Sequence, residues 1–220
     1  MTNTLSAPVV APAGGGPPKQ LVVMLHGVGA DGHDLIALAP HFAQALPEAV
    51  FVAPHAPLPY DMAPFGRQWF SLTVMTPQAI AAGVRMAAAP VSQFLDAELQ
   101  QYGISDDALA LVGFSQGAMM ALHVATRRPR PCAAVLCYSG LLAAPETLAA
   151  EVSARPPVLL VHGAQDDVVP AAAMPAAAAA LDAAGLPVET HLRPGLGHGI
   201  DETALMLGIH FLAQRLRPPF

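Results

Sequence analysis

Short apolar runs recur along the chain, at residues 21–25 (LVVML), 49–53, 108–112, 133–138 and 157–161. Continuous runs of this length, rather than alternating ones, mark strands covered on both faces, as in parallel sheets. A sixth strand is predicted over 188–192, with His191 inside it. Between the strands lie segments with helical spacing, over about 34–46, 80–101, from the turn at 113–117 to Arg127 and Arg128, and 201–215. Pro90 predicts a kink or break in the second of these. Strand and helix therefore alternate from residue 21 to the end, which gives an α/β class with a mostly parallel sheet and helices on both faces. Residues 1–18, rich in Ala, Pro and Gly, predict a flexible tail ahead of one domain over 19–220.

The strand at 108–112 runs into Gly113, Phe114, Ser115, Gln116 and Gly117 before a helix begins. Glycines on both sides of a serine suit a sharp strand-to-helix turn, because a side chain at either position would strike neighbouring backbone. Such a turn lifts the serine hydroxyl out at a helix N-terminus, where free N–H groups and partial positive charge favour an anion. This pattern is the nucleophile elbow of serine hydrolases. A Gly-x-Ser-x-Gly also arises by chance, in roughly one chain in twenty of this composition, so its meaning depends on partners elsewhere.

Those partners occur in the required order. After the 157–161 strand come two carboxylates, Asp166 and Asp167, either of which could be the acid of a triad or a loop cap. Of nine histidines, His198 alone lies in a glycine-flanked loop beyond the last strand, which suits a general base. Upstream, the loop after 21–25 reads His26, Gly27, Val28, Gly29, Ala30, Asp31, Gly32. It lacks the glycine spacing of a dinucleotide site and the Gly-Lys-Ser/Thr of a P-loop. In a serine hydrolase it would supply one oxyanion donor, the Val28 N–H, with the Gln116 N–H as the other; the side chains at both positions should matter less. His26 is expected to be hydrogen-bonded within the loop. The proline-rich segment 54–70 carries Met62, Phe65, Trp69 and Phe70, and is expected to be irregular and to form a wall of the acyl pocket, or else to be anchored to the core by its aromatics.

Composition narrows the function classes. A net charge of −6 with scattered Lys and Arg argues against nucleic-acid or anionic-membrane surfaces. No stretch of about twenty apolar residues free of breakers offers a membrane span, and no basic-then-apolar leader is recognisable. Cys132 and Cys137, five residues apart on one strand, cannot form a disulfide and fit a cytoplasmic chain. No histidine and carboxylate spacing suggests a metal, so neither metal nor cofactor is expected.

The segments LHGVGADGHDL (25–35), GFSQGA (113–118), HGAQDDVVP (162–170) and GLGHGI (195–200) resemble, in order and spacing, the carboxylesterase/phospholipase family of α/β-hydrolases that includes the acyl-protein thioesterases. The resemblance spans about 21–216. It implies an α/β-hydrolase fold, here without an insertion long enough for a cap domain, and assigns the acid to Asp166. Trp69 and Phe70 look like the family's tryptophan-aromatic pair near the acyl site, with Ser71 in place of the usual aspartate. The residues before His198 lack the paired methionines of eukaryotic thioesterases, which points to a bacterial-type carboxylesterase. The expected chemistry is hydrolysis of short to medium acyl esters, or thioesters, through an acyl-enzyme on Ser115, with Asp166 and His198 as partners. Acyl-protein or lysophospholipid thioesterase-lipase activity, and a non-catalytic ligand-binding role, are the alternatives. An open apolar entrance would suit cover by a second copy in a homodimer.

Overall fold

The apolar runs become the middle of a seven-stranded sheet in the computed structural model, which describes residues 5–216. The chain begins with β1 (Val9–Val10), β2 (Gln20–Leu25), two short helices α1 (Gly32–Ile36) and α2 (Ala39–Ala43), and β3 (Ala49–Val52). A small hairpin, β4 (Leu58–Pro59) and β5 (Arg67–Gln68), precedes the long helix α3 (Pro77–Tyr102). Then follow β6 (Leu109–Phe114), α4 (Gln116–Ala125), β7 (Ala134–Tyr138), α5 (Pro145–Glu151), β8 (Val158–Gly163), α6 (Ala173–Ala183), β9 (Val188–Arg193) and α7 (Glu202–Arg215). Strand order is β1-β3-β2-β6-β7-β8-β9, parallel throughout except for the antiparallel β1. This is the α/β-hydrolase arrangement.

Both faces are covered. Alternate residues of the strands feed two cores: Val23, Leu25, Leu111 and Val135 meet α3, α4 and α6 on one side, while Val22, Met24, Val112 and Leu136 meet α1, α2 and α7 on the other. Every residue of β2, β3, β7 and β8 is buried, which is why these strands read as continuous apolar runs.

Three expectations are corrected. Val9 and Val10 pair with Val52 and Phe51, so the N-terminal stretch contributes an edge strand and is not a tail from residues 5 to 18; residues 1–4 of that expected tail lie outside the described residues. Two residues are too few to show a period. The single helix expected over 34–46 is split, because Pro40 has no N–H to continue α1 and sits instead in the first turn of α2. Pro90 lies inside an unbroken α3, whose buried face (Ile80, Val84, Ala87, Val91, Phe94, Leu95) continues on both sides of it. At roughly 1.5–3 kcal/mol per large buried side chain, that packing outweighs the ~3 kcal/mol cost of an internal proline.

α4 is buried along its whole length, and two of its members, Gln116 and His123, are polar. His123 is 3% exposed, and its Nδ1 has no hydrogen-bond partner. Burial, assisted by the nearby Arg127 charge, lowers its pKa from 6.5 to about 4. The unfolded chain therefore takes up a proton below pH 6.5 that the native state refuses until about pH 4. Stability should fall across that window as pH drops, by about 3 kcal/mol from this group at the ~1.4 kcal/mol per pH unit of linkage. Denaturant unfolding of wild type and His123→Leu between pH 7 and 4 checks this. The variant should show a flatter dependence, and parallel curves would refute the assignment.

Candidate active site

Ser115 is the hinge between β6 and α4. Its backbone adopts φ 52° and ψ −117°, a conformation that L residues avoid. The turn is closed from both ends: Ser115 N–H donates to Tyr138 O at 2.9 Å, and Ser115 O accepts from Ala118 N–H at 3.0 Å. The two flanking glycines are required sterically. A Cβ on Gly113 would lie 2.5 Å from Ala118 Cα, and one on Gly117 would lie 1.9 Å from Leu25 O.

Asp166 and His198 come together at the same end of the sheet, in the loops after β8 and β9. His198 Nδ1 lies 2.8 Å from Asp166 Oδ2. The other carboxylate oxygen, Oδ1, accepts from the Val168 and Val169 amides at 3.0 and 2.8 Å. Burial alone would raise the Asp166 pKa, but the bond from His198 and the two amides outweigh it and hold the carboxyl below its ordinary range. The His198 ring packs on Phe114, the residue before the serine, with centroids 5.0 Å apart. Asp167, the alternative acid, shares no hydrogen bond or ion pair with His198, whose Nδ1 partner is Asp166.

The loop between β2 and α1 lies against the elbow, and a Cβ on Gly27 would meet Phe114 and Ser115. Neither Val28 N–H nor Gln116 N–H is taken by an acceptor among the described residues, which leaves two backbone donors beside the serine. His26 is used structurally, as expected. Its Nε2 accepts from Ala56 N–H at 3.0 Å and its Nδ1 therefore donates to Gly27 O at 2.7 Å. Its pKa is lowered chiefly by burial.

In segment 54–70, Trp69 and Phe70 are buried in the main core, and Phe70 packs where Gly83 of α3 leaves room. Met62 and Phe65 are 73% and 74% exposed. Of the two roles expected for the segment, burial of Trp69 and Phe70 favours anchoring to the core, and none of the four lines the apolar cavity between α3, α6 and the loop after β7. The segment also braces the donor loop. Gly29 N–H donates to Arg67 O and Arg67 N–H to Ala30 O, both at 2.8 Å. The Arg67 guanidinium bonds the Ala56 and Pro57 carbonyls, and Trp69 Nε1 donates to His26 O at 2.9 Å.

Two buried polar side chains at the site escaped the sequence reading. The Gln116 side chain is fully buried; its Oε1 accepts from Trp69 N–H at 2.9 Å and its Nε2 donates to Phe70 O at 2.7 Å. It ties the elbow to the bracing segment, so the side chain matters as well as the amide. A polar residue inside the otherwise apolar GFSQGA was the available signal. His162, at the end of β8, is also buried beside Asp166.

An apolar cavity of about 370 Å³ opens between the start of α3, the loop after β7 and the start of α6, lined among others by Met75, Ile80, Leu141, Leu142, Ala143 and Ala173. A separate groove of about 200 Å³ is lined by Asp34, Leu35, Leu38, Phe114 and Ile200. Among the described residues no group of three or more His, Cys, Asp or Glu is placed to hold a metal ion, and no helix is long and apolar enough to cross a membrane.

The model of the phospholipase/carboxylesterase family matches residues 6–216. Esterase YpfH of Escherichia coli K12 is 32% identical over 197 residues, covering 89% of this chain and 83% of that protein. Acyl-protein thioesterase 1 of Gibberella zeae is 25% identical, with 99% of both chains covered. The crystal structure of esterase PE8 superposes with a TM-score of 0.93 at 41% identity, covering 97% of this chain and all of that one.

Proposed function

The chain belongs to the phospholipase/carboxylesterase family, and from that premise we propose that it hydrolyses carboxylic esters of short to medium acyl chains, with Ser115, His198 and Asp166 as its catalytic triad. The observation that carries this reading is the 2.8 Å contact from His198 Nδ1 to Asp166 Oδ2, together with the packing of the His198 ring on Phe114, the residue before the strained serine.

Ser115 Oγ attacks the acyl carbonyl carbon as its proton passes to His198 Nε2. Asp166 accepts from Nδ1–H, which leaves Nε2 free as the base and steadies the imidazolium once formed. Val28 and Gln116 N–H bond the carbonyl oxygen as it gains charge. Collapse expels the alcohol, which takes the proton from His198, and leaves an acyl ester on Ser115. Water then repeats the sequence: His198 removes its proton, the oxygen attacks the acyl carbon, and Ser115 departs with that proton. A thioester carbonyl would enter the same route, with a thiol as leaving group, in keeping with the thioesterase relative.

The 370 Å³ cavity is the acyl pocket in this reading, and its size suits short and medium chains. The groove beside Phe114 lies on the His198 side, where a leaving group must be to receive its proton. Hydrolysis of p-nitrophenyl esters from acetate to palmitate tests this. Wild type should prefer short to medium chains, and Ala173→Phe, which adds a bulky ring to the cavity lining, should move the optimum to shorter esters while acetate turnover stays within about threefold. Failure to hydrolyse any ester would overturn the function; an unchanged length profile in the variant would overturn the pocket.

A further inference from the structure

Asp166 faces a second imidazole that the mechanism above does not use. His162 Nε2 lies 3.2 Å from Asp166 Oδ2, the oxygen that also receives His198 Nδ1 at 2.8 Å. The same nitrogen lies 2.9 Å from Val169 O. A carbonyl only accepts, so Nε2 of His162 carries a hydrogen and donates to Val169. Both His162 and the Asp166 side chain are excluded from solvent, at 2% and 0% exposure.

We propose that His162 is a positioning residue for the acyl-transfer site, holding the Asp166 carboxylate in the orientation that His198 requires. This rests on the reading of Ser115, His198 and Asp166 as the triad. Asp166 is in a loop, whereas His162 belongs to β8, which is hydrogen-bonded to strands on both sides. Its bond to Val169 O anchors the turn whose Val169 amide grips Oδ1. Its Nε2 also stands 3.2 Å from Oδ2, so the ring blocks a swing of the carboxylate away from His198. One rigid side chain thereby restrains both oxygens.

His162→Phe keeps the ring and removes the N–H. It should lower kcat about tenfold to a hundredfold with KM little changed, as loss of a group that orients a reacting residue does. His162→Gln, whose amide can donate to Val169 O in its place, should recover most of the kcat. A purely structural His162 would lower Tm in the Phe variant and leave kcat per folded molecule at its wild-type value; that result would overturn the proposal. Asp166→Asn run in parallel separates the two levels. If it retains near-wild-type turnover, the triad reading itself fails, whereas a crippled Asp166→Asn beside an unaffected His162→Phe removes only His162. Should His162→Phe not fold, low-field proton NMR of wild type and Asp166→Asn decides. Two imidazole N–H resonances should shift together when the carboxylate is lost, and movement of the His198 resonance alone would refute the role.

Discussion

Replacing Ser115 with alanine is expected to lower kcat for p-nitrophenyl esters about 10³- to 10⁶-fold while Tm stays within about a degree of wild type. The fold asks of residue 115 only its backbone: the amide to Tyr138 O, the carbonyl to Ala118 and Met119, and a φ of 52° that is as costly for alanine as for serine. The chemistry asks for its oxygen. Without it no acyl-enzyme forms, and what remains is the effect of the Val28 and Gln116 amides and of substrate binding on direct attack by water. A fluorophosphonate probe should label wild type and leave the variant untouched. Turnover in Ser115→Ala within tenfold of wild type would end the triad assignment and revive the non-catalytic reading of the fold.

Gly117→Ala should do the converse, damaging fold and activity through a residue with no chemical group. The added methyl would start 1.9 Å from Leu25 O and 2.6 Å from His26 O, backbone atoms at the end of a fully buried strand. Neither side has a flexible tip to withdraw, so α4 must shift away from β2. Overpacking against backbone costs about 3 kcal/mol or more, which for a chain of this size lowers Tm by roughly 6–12 °C. The same shift displaces the Gln116 amide relative to the Val28 amide, and misplacement on the order of 1 Å can cost about 10²-fold in rate. Thermal melts and kcat/KM measured on the same preparation check both parts. Wild-type values for the two would show that the elbow has more room than these contacts imply.

The sequence made the centre of the molecule legible and its periphery much less so. β2, β3, β6, β7 and β8 are buried on both faces and therefore appear as unbroken apolar runs. The elbow is legible because its glycines are sterically compelled. Asp166 and His198 stand out because strand-to-loop boundaries are where such sheets present side chains. Trp69 and Phe70 were harder, since an aromatic that walls a pocket and one that anchors a loop look alike until the loop is placed against α3. Gln116 and His162 act through partners 47 and seven residues away, Trp69 and Val169, and no local period records such pairings. α5 is seven residues long and is capped by Ala144, a non-glycine residue in the left-handed region with no side-chain cap bond, so neither length nor capping chemistry announces it.

The two edges of the sheet are guarded against a further strand in different ways. At one end β9 is largely exposed and carries Glu189, His191 and Arg193, so an approaching strand would have to desolvate charge. At the other, β3 is wholly apolar and buried, and unguarded it would be an adhesive margin. Val9 and Val10 close that margin, with Pro8 and Pro12 on either side. A proline has no N–H to offer a further strand, so this edge presents few groups for one to pair with. The N-terminal stretch thus serves as a selvedge that finishes the sheet edge.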